Sequence, residues 1–225
     1  TATQNAHGIR AEIAGALGIS DLDLRVIAPE VGGGFGVKAG VYQEDILCAA
    51  LALKLRRPIK FIETRSEHLA TTHHGRAHMA EVSLAAKADG TVTGMKLRLL
   101  ADLGSYPRDA FIPLLCGWLM NGIYRFENID IEIKGVYTNT MATGAYRGAG
   151  RPEAGYYLER IMDVLAAKMG KDPIELRRAN FIPSDAFPHK TATGMTYDSG
   201  EYEKPLAKAL ELVGYEALRA EQAAA

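Results

Sequence analysis

Between positions 32 and 36 the chain reads Gly32-Gly33-Gly34-Phe35-Gly36, four glycines in five residues. Residues without a Cβ enter positive-φ conformations at no steric cost. Such a loop therefore turns tightly, or lets backbone N–H groups converge on a bound group. It lies between an apolar segment, residues 22–28, expected to form a short buried strand, and helical spacing over residues 43–55. A helix starting downstream adds a dipole that favours an anion. Standard nucleotide motifs fit badly. The dinucleotide spacing G-x-G-x-x-G, begun at Gly32, needs glycine where Val37 stands. Begun at Gly34 it passes Gly36 and ends on Ala39, the looser form, with its helix starting late. A phosphate-binding P-loop needs Lys followed by Ser or Thr, and Lys38 is followed by Ala39. Phe35 is unusual among glycines, and its ring is expected to face either the core or a planar ligand. A tight structural turn and an anion-binding backbone both satisfy these residues.

A second loop over residues 143–152 repeats the pattern. Small residues flank Tyr146 and Arg147 in Ala145-Tyr146-Arg147-Gly148-Ala149-Gly150, and Arg151-Pro152-Glu153 leads into a helix. Arginine beside glycine N–H groups and a helix start suits a phosphate or another oxyanion. An arginine paired with a helix carboxylate on the surface would leave the same signature.

The rest of the chain mixes strands and helices without strict βαβ alternation, which predicts an α+β fold. Ile9, Ile13, Ala16 and Leu17 share one helical face, and Gly18 is placed to end it. Residues 59–62 read as a strand after Pro58. Residues 77–101 alternate with period two around an Asp89-Gly90 turn, a hairpin signature. Residues 110–120 suit a buried helix and 129–137 an alternating strand. A long helix is expected over 153–169, stopped by Gly170. Asp172-Pro173-Ile174-Glu175 is a strong helix start: Asp caps, Pro is tolerated first, and Glu reaches back to the cap. That helix should end near Ile182. A polar loop over 184–200 precedes a last helix at 202–213.

Composition sets outer limits. With 48% hydrophobic and 24% charged residues the chain is ordinary for a globular protein. Its 26 basic and 27 acidic residues leave a net charge of −1, so no basic field attracts nucleic acid or anionic membrane. No apolar run reaches the ~18–20 residues that span a bilayer, and the cytoplasm is the expected compartment. Cys48 and Cys116 stand singly, which excludes a disulfide framework, a cysteine zinc site or an iron–sulfur cluster. His68, His73, His74 and His78 lack a metal-ligand spacing and read as structural or solvent-exposed. Met162, Leu165 and Met169 read as core rather than as a cofactor box. Arg108 and Asp109 read as an ordinary loop.

Taken in order, five motifs carry a resemblance across nearly the whole chain. They are the Val31-to-Gly36 glycine loop, Tyr124-Arg125 with Asn128-Ile129, and the Ala145-to-Glu153 segment. Asp172-Pro173-Ile174-Glu175-Leu176-Arg177-Arg178-Ala179-Asn180 and Tyr197-Asp198-Ser199-Gly200 complete the set, which begins at Thr3-Gln4. Together they resemble the molybdenum-cofactor-binding large subunit of the xanthine oxidase/aldehyde oxidase family, in its aerobic carbon monoxide dehydrogenase-like branch. The resemblance implies a molybdenum–molybdopterin cofactor, in the cytosine dinucleotide form usual in bacteria. It implies that Gly33, Gly34, Phe35 and Gly36 face the cofactor from one side and Arg147 and Gly148 from the other, with no direct metal ligand from the chain. It further implies [2Fe–2S] clusters and FAD on partner subunits, and a homo-oligomer of heterotrimers. Residues 1–183 would be part of a first molybdopterin-binding domain, 184–200 an interdomain linker and 201–225 the start of the next domain.

The departures from the family pattern narrow the substrate. Ala39 stands where purine-oxidising members carry a glutamate, and Leu115 where they carry a substrate-binding arginine. Purine recognition needs those polar partners. Gly148 stands where carbon monoxide enzymes carry the cysteine that holds copper. With Ala149 completing the expected substrate pocket beside Ala39 and Leu115, an aldehyde or aromatic N-heterocycle is the implied substrate. The family's catalytic glutamate belongs to a Gly-x-Gly-Glu segment that this chain lacks. Gly200-Glu201 imitates it, but its Tyr-Asp-Ser context matches the linker. The expectation is thus a fragment that holds the cofactor and is inactive alone. A non-catalytic nucleotide-binding or assembly module is the alternative.

Overall fold

The structure, a computed structural model, describes residues 1–106 and 108–224. The chain divides into two units. The first comprises Thr1–His78, Ala101–Ile112 and Gly135–Gly150; the second comprises Met79–Leu100, Pro113–Lys134 and Arg151–Ala225.

In the first unit, helix α1 (Ala6–Leu17) begins where Asn5 accepts the Gly8 N–H and ends where Gly18 turns left-handed. Its Ile9, Ile13 and Ala14 are buried, and it packs against α2 (Gln43–Leu55). A third helix, α3 (Arg65–Thr71), is short and rests on a full capping box between Thr64 and Glu67. Two expected strands do not form. Residues 21–23 make a 3₁₀ turn capped by Ser20, and residues 24–28 and 59–62 carry no ladder. Leu22 is 86% exposed and Ile62 73% exposed. Apolar β-formers become strands only where a partner strand takes their hydrogen bonds in a ladder, and none does so among the described residues.

The second unit is built on the expected hairpin. Strands β1 (His78–Ala86) and β2 (Val92–Asp102) meet at the Asp89-Gly90 turn, and β3 (Ile129–Val136) joins the far side of β2. The Met95 N–H bonds to Asn128 O and the Leu103 N–H to Val136 O, so β2 and β3 run in the same direction. Helix α4 (Phe111–Trp118) lies between them in sequence, followed by a 3₁₀ turn. Val92, Met95, Leu97 and Leu99 of β2 pack with Cys116, Met120, Tyr124 and Phe126. Ala154, Leu158, Met162 and Ala166 complete that core from α5 (Arg151–Met169). Gly170 ends α5 at φ 64.

Helix α6 (Pro173–Asn180) starts on Asp172, which accepts from the N–H groups of Ile174 and Glu175. The expected capping-box return does not occur, because the Glu175 carboxylate is drawn to Arg178 at 3.0 Å. The helix also stops two residues short of Ile182, since the Ile182 N–H bonds instead to Ile123 O. The polar loop contains a two-residue hairpin, β4 (His189–Lys190) with β5 (Thr196–Tyr197). Thr193 of that turn donates to Trp118 O. Helix α7 (Glu203–Val213) is followed by α8 (Tyr215–Ala224), which the sequence reading omits. Glu201 pairs with Lys204 on the surface. No helix among the described residues is long and apolar enough to cross a membrane.

Candidate cofactor site

Both glycine loops fall in the first unit, and they touch. In the first loop Gly32, Gly33, Phe35 and Gly36 all hold positive φ. For Phe35, at φ 50, that is a strained conformation. Its carbonyl accepts the Arg147 N–H of the second loop at 2.8 Å, which helps to hold it there. Gly36, at φ 97, approaches so closely that a Cβ would lie 2.6 Å from the Ala145 carbonyl carbon and collide with its oxygen. Glycine at 36 is therefore required twice, by dihedral and by contact. From the amino-terminal side Gln4 reaches in, its Oε1 accepting the Gly36 N–H at 2.9 Å.

The Phe35 ring is 58% exposed. Of the two expected targets the core is thus excluded. The Arg147 guanidinium lies over the ring, 5.8 Å from its centroid. In the second loop Gly148, Ala149 and Gly150 take φ values of 104, 45 and 87, and α5 begins at the next residue.

A polar chain ties the loops from beneath. The Tyr42 hydroxyl donates to Val37 O at 2.7 Å and faces His73 Nδ1 at 3.0 Å; His73 Nε2 lies 2.9 Å from Ala145 O. A carbonyl only accepts, so Nε2 carries a proton. Burial lowers the His73 pKa, opposed by the bond to Ala145 and reinforced by the positive Arg108. The Arg108 guanidinium stacks 4.0 Å over the Tyr42 ring and donates to Val41 O. Burial thus disfavours the charged ring in the folded state, so the stability tied to this group is complete above the ordinary histidine range and is lost as pH falls through it. In thermal melts, wild type should lose stability on acidification through that range. His73→Gln should show a flatter profile; equal slopes would contradict this assignment.

Two cavities open beside the loops. One, of about 580 Å³, is lined by Phe35, Val37, His73, Arg76, Ala145, Tyr146 and Arg147 among others; its lining holds two arginines and no carboxylate. Beneath it the Arg76 guanidinium donates to Tyr146 O and Arg147 O. The other, of about 340 Å³, holds Ala39 with Gly36, Arg108, Asp109 and Glu12. Ala149 is half-buried in the second loop. Leu115, also expected in the substrate pocket, is half-buried on α4 in the second unit. Gly33, Gly34, Phe35, Gly36, Arg147 and Gly148 are thus brought together, and Ala39 lies beside them.

Gln4 enters the sequence reading only as the start of the resemblance, while His73 and Arg108 are read there without a site role; Arg76 joins them only in the structure. Their bonds span 72 residues for His73, 70 for Arg76 and 67 for Arg108, beyond the reach of any local pattern. Two guanidinium groups, a glycine backbone and an exposed aromatic ring, without an acidic group in the cavity lining, suit a ligand that is planar in one part and anionic in another. Among the described residues no three metal-ligating side chains converge.

Residues 1–181 match the family described as "Molybdopterin cofactor-binding domain". The chain belongs to that family. It is 38% identical over 227 residues to the carbon monoxide dehydrogenase large chain of Hydrogenophaga pseudoflava, covering 99% of this chain and 28% of that one. Among solved structures it is similar to quinoline 2-oxidoreductase from Pseudomonas putida 86. That match has a TM-score of 0.93 and 32% identity, over 99% of this chain and 29% of the other. Carbon monoxide dehydrogenase from Oligotropha carboxidovorans matches with a TM-score of 0.91 and 35% identity, over 99% and 28%. This molybdopterin cofactor-binding domain thus spans less than a third of the length of these relatives. Its α+β fold is that of molybdenum hydroxylases. The glycine cradle and the acid-free arginine cavity fit the group the family name describes.

Proposed function

We propose that this chain supplies the cofactor-gripping loops of a molybdenum hydroxylase. The observation that carries the reading is the contact at Gly36 and Ala145, which joins two glycine loops into one wall beside a cavity with two arginines and no carboxylate. Gly33, Gly34, Phe35 and Gly36 would hold the cofactor on one side, and Arg147 and Gly148 on the other. The cytosine dinucleotide form supplies the phosphates that Arg147 and a glycine backbone would bind. When bound, the group supplies the redox chemistry that places a water-derived oxygen on an electron-poor carbon. The chain's residues would bind and orient it; we assign the chain no catalytic residue, and propose that the proton-accepting glutamate of the Gly-x-Gly-Glu segment lies outside it.

The substrate we assign is an aldehyde or aromatic N-heterocycle. Ala39 and Ala149 each offer a purine no polar partner, Leu115 on α4 carries none of its own, and Gly148 offers copper no thiolate. One relative named above is a quinoline oxidoreductase. The two carbon monoxide dehydrogenases make carbon monoxide the competing substrate, which Gly148 argues against. Electrons would leave through [2Fe–2S] and FAD partner subunits in the cytoplasm, the heterotrimers pairing into a larger oligomer. We also assign residues 1–183 to the first molybdopterin-binding domain, 184–200 to a linker and 201–225 to the next domain.

Arg147→Ala in the intact protein tests the grip. Its side chain is exposed, so the melting temperature should hardly change while molybdenum content falls roughly tenfold or more, the weight of a charge-assisted contact or two. Full molybdenum retention would contradict the reading.

A further inference from the structure

The second loop has no ladder of its own, and three successive residues, Gly148 to Gly150, sit at positive φ. Something outside the loop must fix it. The carbonyls of Ala145, Tyr146 and Arg147 are received one after another by a single turn, His73 to Arg76. His73 Nε2 takes the first at 2.9 Å, Arg76 Nη1 the second at 3.0 Å and Arg76 Nη2 the third at 2.7 Å. The guanidinium also lies 5.0 Å from the Tyr146 ring centroid. Within the turn, Gly75 is backed against Tyr146, where a Cβ would come within 2.8 Å of the Tyr146 Cβ. The turn is itself fixed, since the His74 N–H bonds to Ala142 O and the Gly144 N–H to His74 O. Arg76 pays for this reach with a left-handed backbone, φ 69.

We infer that Arg76 is a positioning residue for the cofactor-binding loop. It touches the loop backbone and acts through Arg147. By fixing the carbonyls of residues 146 and 147 it sets the Arg147 N–H onto Phe35 O and directs the Arg147 side chain over the Phe35 ring. A guanidinium suits the task because its fork gives two parallel donors in one plane. Lysine offers one point charge and cannot hold both carbonyls in the same geometry. The cofactor part of this inference rests on the proposed function; the loop-fixing part does not.

The test is hydrogen exchange, together with molybdenum analysis, on the intact protein carrying Arg76→Met or Arg76→Lys. For Arg76→Met, amides of residues 145–150 should exchange roughly tenfold faster, as expected when two charge-assisted bonds are lost. Amides of β2 and α5 should keep their wild-type rates, and molybdenum content should fall. Arg76→Lys should lie between the two on both measurements, a graded response that a merely structural role would not give. Loop exchange within twofold of wild type would overturn the inference. So would acceleration spread equally over loop and core, which would mark general destabilisation. Should wild type itself carry no molybdenum, the cofactor reading fails, and the exchange rates still decide whether Arg76 fixes the loop.

Discussion

Replacing Gly36 with alanine should cost about 3 kcal/mol or more and empty the cofactor site. Two costs add. An alanine at φ 97 leaves the allowed region, on the order of 1–3 kcal/mol. Its methyl must also displace the Ala145 carbonyl, and rigid overpacking costs about 1–3 kcal/mol. The neighbour is backbone held by His73, so no flexible side chain can yield. Gly32→Ala is the matched control. It has φ 70 but nothing within 4 Å of the added atom, so only the first cost applies. Thermal melts and molybdenum analysis of both variants should therefore separate them clearly. Equal effects would mean that the loops do not meet as described.

Asn180→Ala should be nearly as damaging, for a different reason. Asn180 is 3% exposed. Its Oδ1 accepts the Val92 N–H at 2.8 Å, and its Nδ2 donates to Gly90 O and Leu176 O. One amide thus joins the β2 side of the β1–β2 turn, at Gly90 and Val92, to α6. Alanine would leave buried backbone groups without partners, at about 1–3 kcal/mol each, so a loss of about 3 kcal/mol is expected. Exchange of the amides near residues 90–92 should rise with it. A loss under about 1 kcal/mol would show that water replaces the side chain. Aspartate at 180 should recover only part of the loss, since it accepts but cannot donate.

Much of this architecture is legible in the sequence where the signal is local. Gly18 and Gly170 end helices as read, Asp172 caps α6, and the hairpin turn falls at Asp89-Gly90. Strand readings fail where the partner is remote. Residues 24–28 and 59–62 have β-forming composition but no partner strand among the described residues, and composition cannot reveal that. Helix α2 shows the same limit: it is apolar on several sides, yet Leu47, Leu53 and Leu55 are each more than half exposed. Helix α3 is a genuine omission. Its Thr64-to-Glu67 capping box is visible in sequence, but seven residues are too few for periodicity to draw attention to it.

The glycine loops stand out because each is a local anomaly, and their order suggests the family. Their joining does not, because it depends on Gly36 meeting Ala145 across more than a hundred residues. Separations of 72 and 70 residues likewise hide His73 and Arg76, which look like surface residues until the loop carbonyls are placed above them. Cys116 is buried on α4, and burial, then the charge of Glu153, push its thiol up to about 12.

The most direct test of the central claim is metal and pterin analysis of the purified intact protein with its partners. Molybdenum is expected in near-equal ratio to the intact protein, with a pterin bearing a cytosine nucleotide released on denaturation. Protein that is folded and pure, yet holds neither molybdenum nor pterin, would contradict that claim.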